Sequence, residues 1–256
     1  MRFASWLGLT LAAVAVQAGY RVPQDLGPKL DEVFKPWDKK DAPGGAVFVS
    51  VHGKIVYEKA FGMANLELDV PNTTSTVFDV GSVSKQFTAT CVMLLAEQGK
   101  FSIDDEASKY LPEYPVLSDN KITIRQLLDH TSGVRDILSL MVFKTKGIAF
   151  SNEDADKTLR AQRSLNFKPG TNWSYSNSNY YLLMKLVEKE SGKSLAEFAK
   201  EAIFDPLGMN HTLFLDDPAK LIHDRAFGYV PTPKGYRAGL SMIAIDGPGG
   251  LWTTLD

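Results

Sequence analysis

The chain has 256 residues, 44% of them hydrophobic and 23% charged, with a formal net charge of -2. This is the composition of an ordinary soluble globular protein, large enough to bury one core or two closely packed subdomains, and it excludes fibrous and disordered classes. Lys39-Lys40 is the only adjacent basic pair, so there is no nucleic-acid footprint.

Met1 to Ala18 reads as an export signal. Arg2 supplies the positive start, Leu7 to Val16 is an apolar stretch too short to span a bilayer, and Val16-Gln17-Ala18 offers small residues for cleavage before Gly19. The competing reading is a buried N-terminal helix. No cysteine lies near the cleavage site, which argues against a lipid anchor. Cys91 is the only cysteine, so an intrachain disulfide is impossible, and its place on an apolar helix side makes it a small core residue.

Leu30, Val33, Phe34 and Trp37 follow helical spacing and predict a short amphipathic helix near residues 24 to 38, limited by Pro36. "GGAVFVSVHGKIVYEKAFG" (Gly44 to Gly62) predicts a β-hairpin turning at His52-Gly53-Lys54. Its first run is apolar almost throughout, as expected of a strand covered on both faces.

Residues 83 to 98 predict a helix with Val83, Phe87, Cys91, Leu94 and Leu95 along one side and Gly99 at its end. Mainly helical patterns follow, forming a block from about 100 to 225. "TIRQLLDHTSG" ends in a Gly stop at Gly133, and Ser151-Asn152-Glu153-Asp154 offers a cap followed by acidic residues suited to a helix start. "NYYLLMKLVEKESG" stops at Gly192, Ser194 opens "SLAEFAKEAI", and Asp205-Pro206-Leu207-Gly208 is a turn.

Two stretches carry chemistry. In "DVGSVSKQFTAT", Ser82 and Lys85 are three residues apart at a helix start, so they share a face. The positive helix end offers free N–H donors to an oxyanion, and together with burial it disfavours a charged lysine that could otherwise not accept the Ser proton. Taken alone, the pair reads first as a helix cap and a solvated lysine. In "FKPGTNWSYSNSNYYLLMKL", Tyr175 and Asn177 alternate in an extended loop and so face one way. A phenol near ~10 moves toward proton-transfer range beside a lysine charge, and an Asn amide can bind a carbonyl while holding an ammonium. This pair, too, is in isolation a surface aromatic and a cap.

The ordered set "HGKIVYEKAFG", "STVFDVGSVSKQFTA", "ITIRQLLDHTSGV", "FKPGTNWSYSNSNYYLL", "IFDPLGMNHT" and "GPGGLWTT" resembles the serine β-lactamase and penicillin-binding superfamily in its class C branch. That branch holds AmpC-type β-lactamases, D-alanyl-D-alanine carboxypeptidases, D-aminopeptidases and family VIII esterases. The resemblance implies an α+β fold, an antiparallel sheet flanked by helices with an inserted, mainly helical subdomain. It implies Ser82 as acyl-forming nucleophile, Lys85 and Tyr175 as proton-transfer groups, with the first acceptor open between them, and Asn177 as a substrate-binding residue that also holds Lys85. The Ser82 N–H would form half of the oxyanion hole. No cofactor and no metal are implied, and the four His residues lack ligand spacing and read as structural or exposed. The partner is a small-molecule or peptide substrate, and the location secreted or periplasmic.

The superfamily's third motif, Lys-Thr-Gly or His-x-Gly on an edge strand, does not follow Tyr175; Lys168-Pro169-Gly170 precedes it and His52-Gly53 sits in the hairpin turn. "GGLWTT" is expected to open a helix. The expectation is a domain over residues 19–256 that lacks its C-terminal strands, with impaired activity. The substrate stays open among β-lactam, D-amino-acid peptide and short ester, with a small ester or peptide favoured. A non-catalytic binding or scaffold relative is the competing class, and an α/β-hydrolase fails for want of a Gly-x-Ser-x-Gly elbow.

Overall fold

The computed structural model describes residues 22–142, 151–217, 219–239 and 247–255. The export signal at Met1 to Ala18 lies outside them. Two compact units form, one up to Thr74 and one from Ser75 to Thr254. The fold is α+β, and among the described residues the named strands pair antiparallel.

In the first unit, helix α1 (Leu26–Phe34) runs into a short 3-10 turn, Lys35–Trp37, where Pro36 sits at a first-turn position that needs no N–H. Strands β1 (Gly45–Val51) and β2 (Lys54–Phe61) form the predicted hairpin. His52 and Gly53 both have positive φ, 50° and 76°, the requirement of a tight turn whose twist matches the strands. Lys54 belongs to β2 rather than to the turn. Asp31 on α1 accepts from Tyr57 Oη and Lys59 Nζ on β2, each at 2.8 Å, and Phe34 stacks on Phe61 at 5.4 Å. Strand β3 (Met63–Asn65) pairs with β4 (Val70–Pro71). The expectation that β1 is covered on both faces is not met: no residue of the strand is fully buried and Phe48 is 44% exposed. A run of apolar residues measures what a strand could bury, while the number of neighbours decides what it does bury, and among the described residues β1 pairs with β2 alone.

The second unit contains β5 (Phe78–Asp79), α2 (Ser84–Glu97), α3 (Pro115–Ser118), α4 (Ile124–Leu128), α5 (Ile137–Val142), α6 (Asn152–Arg160), α7 (Asn177–Ser191), α8 (Leu195–Ala199), β6 (Leu213–Phe214), β7 (Tyr229–Thr232), β8 (Gly235–Ala238) and β9 (Leu251–Thr253). Capping boxes close the starts of α6 (Ser151 with Asp154) and α8 (Ser194 with Glu197), each satisfying two otherwise free N–H groups. Helix α7 stops at Gly192, and a π-helical turn, Lys200–Phe204, extends α8. Helices α2 and α7 pack together, and Cys91, Val92 and Leu95 of the one share a buried cluster with Tyr181, Leu183 and Leu186 of the other. Burial pushes the Cys91 thiol up to about 12, which makes it an inert core residue.

Three local expectations are corrected. Val83 is 51% exposed and belongs to a 3-10 turn, Gly81–Val83, whose different periodicity turns it off the apolar side of α2. Helix α4 ends at Leu128, not at Gly133, because His130 adopts a left-handed φ of 63° and the chain turns away. "GGLWTT" forms strand β9 rather than a helix: it pairs on one side with β5 and on the other with β6, as the centre of a three-stranded sheet. The β7–β8 hairpin is an addition to the elements read from sequence.

Candidate active site

The site grows out of the junction between β5 and α2. Asp79 Oδ1 accepts the Gly81 N–H at 2.9 Å, and Gly81 takes a φ of 51°, a conformation costly to residues with a Cβ. The resulting sharp turn leaves Ser82 exposed at the tip of the 3-10 segment, just ahead of the buried first turn of α2.

Segment 247–251 lies along that turn. Thr88 Oγ1 donates to Gly247 O at 2.9 Å, the Leu251 N–H donates to Ser84 Oγ at 3.1 Å, and the Val80 N–H donates to Leu251 O at 3.1 Å. Ser84 and Thr88 are i and i+4, so they mark one helix face. Lys85 lies between them, buried to 7% exposure. Its Nζ donates to Pro248 O at 2.7 Å, to Asn177 Oδ1 at 2.9 Å and to Ser82 Oγ at 3.1 Å, using all three ammonium protons. The ammonium also lies 4.7 Å from the Tyr175 ring centre and 5.6 Å from that of Tyr180. Burial is the largest influence on its proton affinity and lowers the Lys85 pKa; the Tyr175 hydroxyl and the Asp136 charge oppose it without prevailing.

Tyr175 approaches from the other side. Its Oη lies 2.7 Å from Ser82 Oγ, on an aromatic side chain that is 41% exposed. The extended strip before α7 is held by His130, whose carbonyl accepts the Ser174 N–H at 3.1 Å and whose Nδ1 accepts the Ser176 N–H at 3.2 Å. Alternate residues thus face His130, and Tyr175 between them packs its ring 4.7 Å from the imidazole. Ser132 Oγ donates to Asn179 Oδ1 at 2.7 Å, which turns the Asn179 amide nitrogen toward His130 Nδ1 at 3.1 Å. An Nδ1 that accepts twice requires the neutral ring with its proton on Nε2. Burial, then the Lys85 charge, lowers the His130 pKa in the same sense.

All four residues singled out in sequence, Ser82, Lys85, Tyr175 and Asn177, are brought together. Asn177 takes the first position of α7, and its side-chain amide is oriented by Asp136, whose Oδ1 accepts from Asn177 N at 2.7 Å and from Nδ2 at 2.9 Å. His130, Asp136 and the Pro248 carbonyl were not singled out. The first two lie in "DHTSGVRD", where only sidedness in three dimensions tells a buried supporting His from an exposed one; a backbone carbonyl leaves no residue-type signal at all. Among the described residues, no group of three or more His, Cys, Asp or Glu could hold a metal ion.

The Beta-lactamase family model matches residues 30–256. The chain belongs to the beta-lactamase family. Among its relatives, a penicillin-binding protein of Bacillus subtilis (strain 168) is 35% identical over 206 residues, covering 78% of this chain and 45% of that protein. A D-aminopeptidase of Brucella anthropi is 35% identical over 219 residues, covering 84% of this chain and 41% of the relative. The chain thus spans less than half the length of these two curated relatives. The octameric penicillin-binding protein homologue from Pyrococcus abyssi superposes with a TM-score of 0.77 at 29% identity, covering 91% of this chain and 54% of that one. A class C beta-lactamase superposes with a TM-score of 0.71 at 28% identity, covering 89% and 61%.

Proposed function

We propose that the chain carries the active site of a secreted serine hydrolase that works through an acyl-enzyme on Ser82. The observation behind this is the pairing of two proton-transfer groups on one exposed hydroxyl, Lys85 Nζ at 3.1 Å and Tyr175 Oη at 2.7 Å from Ser82 Oγ. In acylation Ser82 Oγ bonds to the substrate carbonyl carbon and its proton passes to Lys85 or Tyr175. The carbonyl oxygen takes up negative charge and is met by the Ser82 N–H at the helix start. Collapse breaks the bond to the leaving nitrogen or oxygen, which receives a proton from the same pair. Water then attacks the ester, Tyr175 accepting its proton, and Ser82 is regenerated. A lysine whose pKa is lowered by burial suits this role, since its neutral form has a lone pair for the Ser proton. Asn177 holds Lys85 through Oδ1 and in this reading turns amide N–H toward the substrate carbonyl.

The substrate class is a small ester or a D-amino-acid peptide, with β-lactams as the further candidate; the relatives named D-aminopeptidase and penicillin-binding protein support an amide carbonyl. The sequence holds no Lys-Thr-Gly or His-x-Gly after Tyr175 to add a second oxyanion donor, so residues 19–256 alone are proposed to turn over slowly, by about 10²- to 10³-fold per missing donor. Export is proposed from Met1 to Ala18 and is checked by the N-terminus of protein recovered outside the cell, expected near Gly19.

The deciding experiment is covalent labelling. A fluorophosphonate or a fluorescent penicillin is expected to add one adduct at Ser82, seen by intact mass and peptide mapping, and Ser82→Ala is expected to add none. Equal labelling of Ser82→Ala would sink the reading.

A further inference from the structure

We propose that Asp136 is a positioning residue of this site, fixing the Asn177 amide in one orientation and lending its negative charge to Lys85. The inference rests on the hydrolase reading above and concerns how that site is kept ready.

The geometry is a chain of contacts from one helix start to another. Asp136 Oδ2 accepts the Ser139 N–H at 3.0 Å and the Ser139 hydroxyl at 3.1 Å, which caps the start of α5. Its Oδ1 accepts both the backbone and side-chain N–H of Asn177 at the start of α7. One carboxylate therefore ties two helix starts, where free N–H groups favour negative charge. The amide of Asn177 has one donor side and one acceptor side. With Nδ2 committed to an oxygen that can only accept, Oδ1 must face the other way, onto Lys85 Nζ at 2.9 Å. A free Asn could flip and present N–H to the ammonium, which would repel it from Ser82.

The second part is electrostatic. The groups facing Lys85 are Ser82 on its own turn, the Tyr175 and Tyr180 rings, His130, the Pro248 carbonyl, Asn177 and, behind Asn177, Asp136. His130 is held neutral by its acceptor role at Nδ1, which leaves Asp136 as the anionic side chain in this set. Asp136 raises the proton affinity of Lys85 while burial lowers it. The carboxylate thus keeps the lysine from losing its proton too readily, so that the same group can return a proton to the leaving atom.

Two substitutions separate position from charge. Asp136→Asn keeps an oxygen that can accept from both Asn177 donors but removes the charge, whereas Asp136→Ala removes both. The titration of Lys85 is followed by NMR of its 13Cε resonance, assigned by its loss in Lys85→Met, with melting temperature as a check on folding. In Asp136→Asn the Lys85 midpoint is expected to move down by about one pH unit. Fluorophosphonate labelling is expected to change by no more than severalfold in either direction, since more of the lysine is neutral but each neutral amine is a weaker base. In Asp136→Ala labelling is expected to fall by about 10²-fold, the effect of misplacing a reacting group. An unmoved Lys85 midpoint in a folded Asp136→Asn protein overturns the electrostatic role, and equal labelling loss in both variants overturns the orienting role. Failure of the wild type to label at Ser82 would instead refute the hydrolase reading itself.

Discussion

Lys85 and Tyr175 flank the same oxygen, yet the protein treats them in opposite ways. Lys85 is 7% exposed, enclosed by α2, the start of α7 and segment 247–251, with three acceptors for three protons. Tyr175 is 41% exposed, holds one hydrogen bond to Ser82 and rests its ring on His130. The difference teaches where each group's chemistry originates. A lysine in water is a cation, and only burial makes it a candidate base. A tyrosine hydroxyl both donates and accepts without being buried; what it needs is a fixed direction and access to water.

The largest effect is expected on the buried side. Lys85→Met removes the proposed proton-transfer group and also the donor that holds Asn177 Oδ1 and Pro248 O. Ser82 labelling should fall by at least about 10³-fold, near the upper end for loss of a general acid or base, because Met offers neither a lone pair nor a proton at this buried position. Labelling rates measured by quenched time courses check this, and a fall of less than tenfold would break the comparison.

Tyr175→Phe comes next. Its exposed edge lets water reach Ser82, so the expected cost is about 10²-fold in turnover, the lower end of the same range. Ser82 should still be labelled, and the acyl-enzyme should persist in intact-mass spectra, since the group lost is the one assigned to the deacylating water. Stability should change by less than about 1 kcal/mol, the net value of a single hydrogen bond, as read by urea denaturation. Unchanged turnover would assign the water to another group.

The smallest effect concerns the support beneath Tyr175. Burial lowers the folded-state pKa of His130 below its ordinary value of 6.5, so the unfolded chain takes up the proton first as pH falls. The stability from the neutral ring is complete above about pH 6.5, is lost as pH falls below that, and stops declining once the folded pKa is passed. Protonation would also remove the acceptor for Ser176 N–H. His130→Asn tolerates the left-handed φ and should flatten the drop in melting temperature between pH 7 and pH 5. An equally steep drop in the variant would mean that other groups carry the acid sensitivity.

Much of the local structure was legible because its causes are local. His52-Gly53 lies in the predicted turn, though Lys54 joins the strand, Ser151 and Ser194 mark helix starts, and Gly99 and Gly192 follow helix ends, each through contacts spanning a few residues. The same holds for Ser82 and Lys85, whose contact follows from a spacing of three. The misreadings came where distant segments decide. Whether β1 is covered depends on its neighbours, and His130 ends α4 early because its ring and carbonyl are engaged by residues 174–179. "GGLWTT" is a strand because Phe78–Asp79 and Leu213–Phe214 offer it two edges.

By itself, then, the order of residues determined which side chains could do chemistry: a Ser at a glycine-flanked helix start, a Lys one turn on, a Tyr and an Asn alternating before another helix. Only the tertiary structure decided that Lys85 would be dehydrated, that the carbonyl of Pro248, 163 residues away, would meet its ammonium, and that Asp136 would orient Asn177. The physical reason is that spacing along a chain sets direction, whereas proton affinity is set by the surroundings on every side, and those are assembled from segments that meet only when the chain has folded.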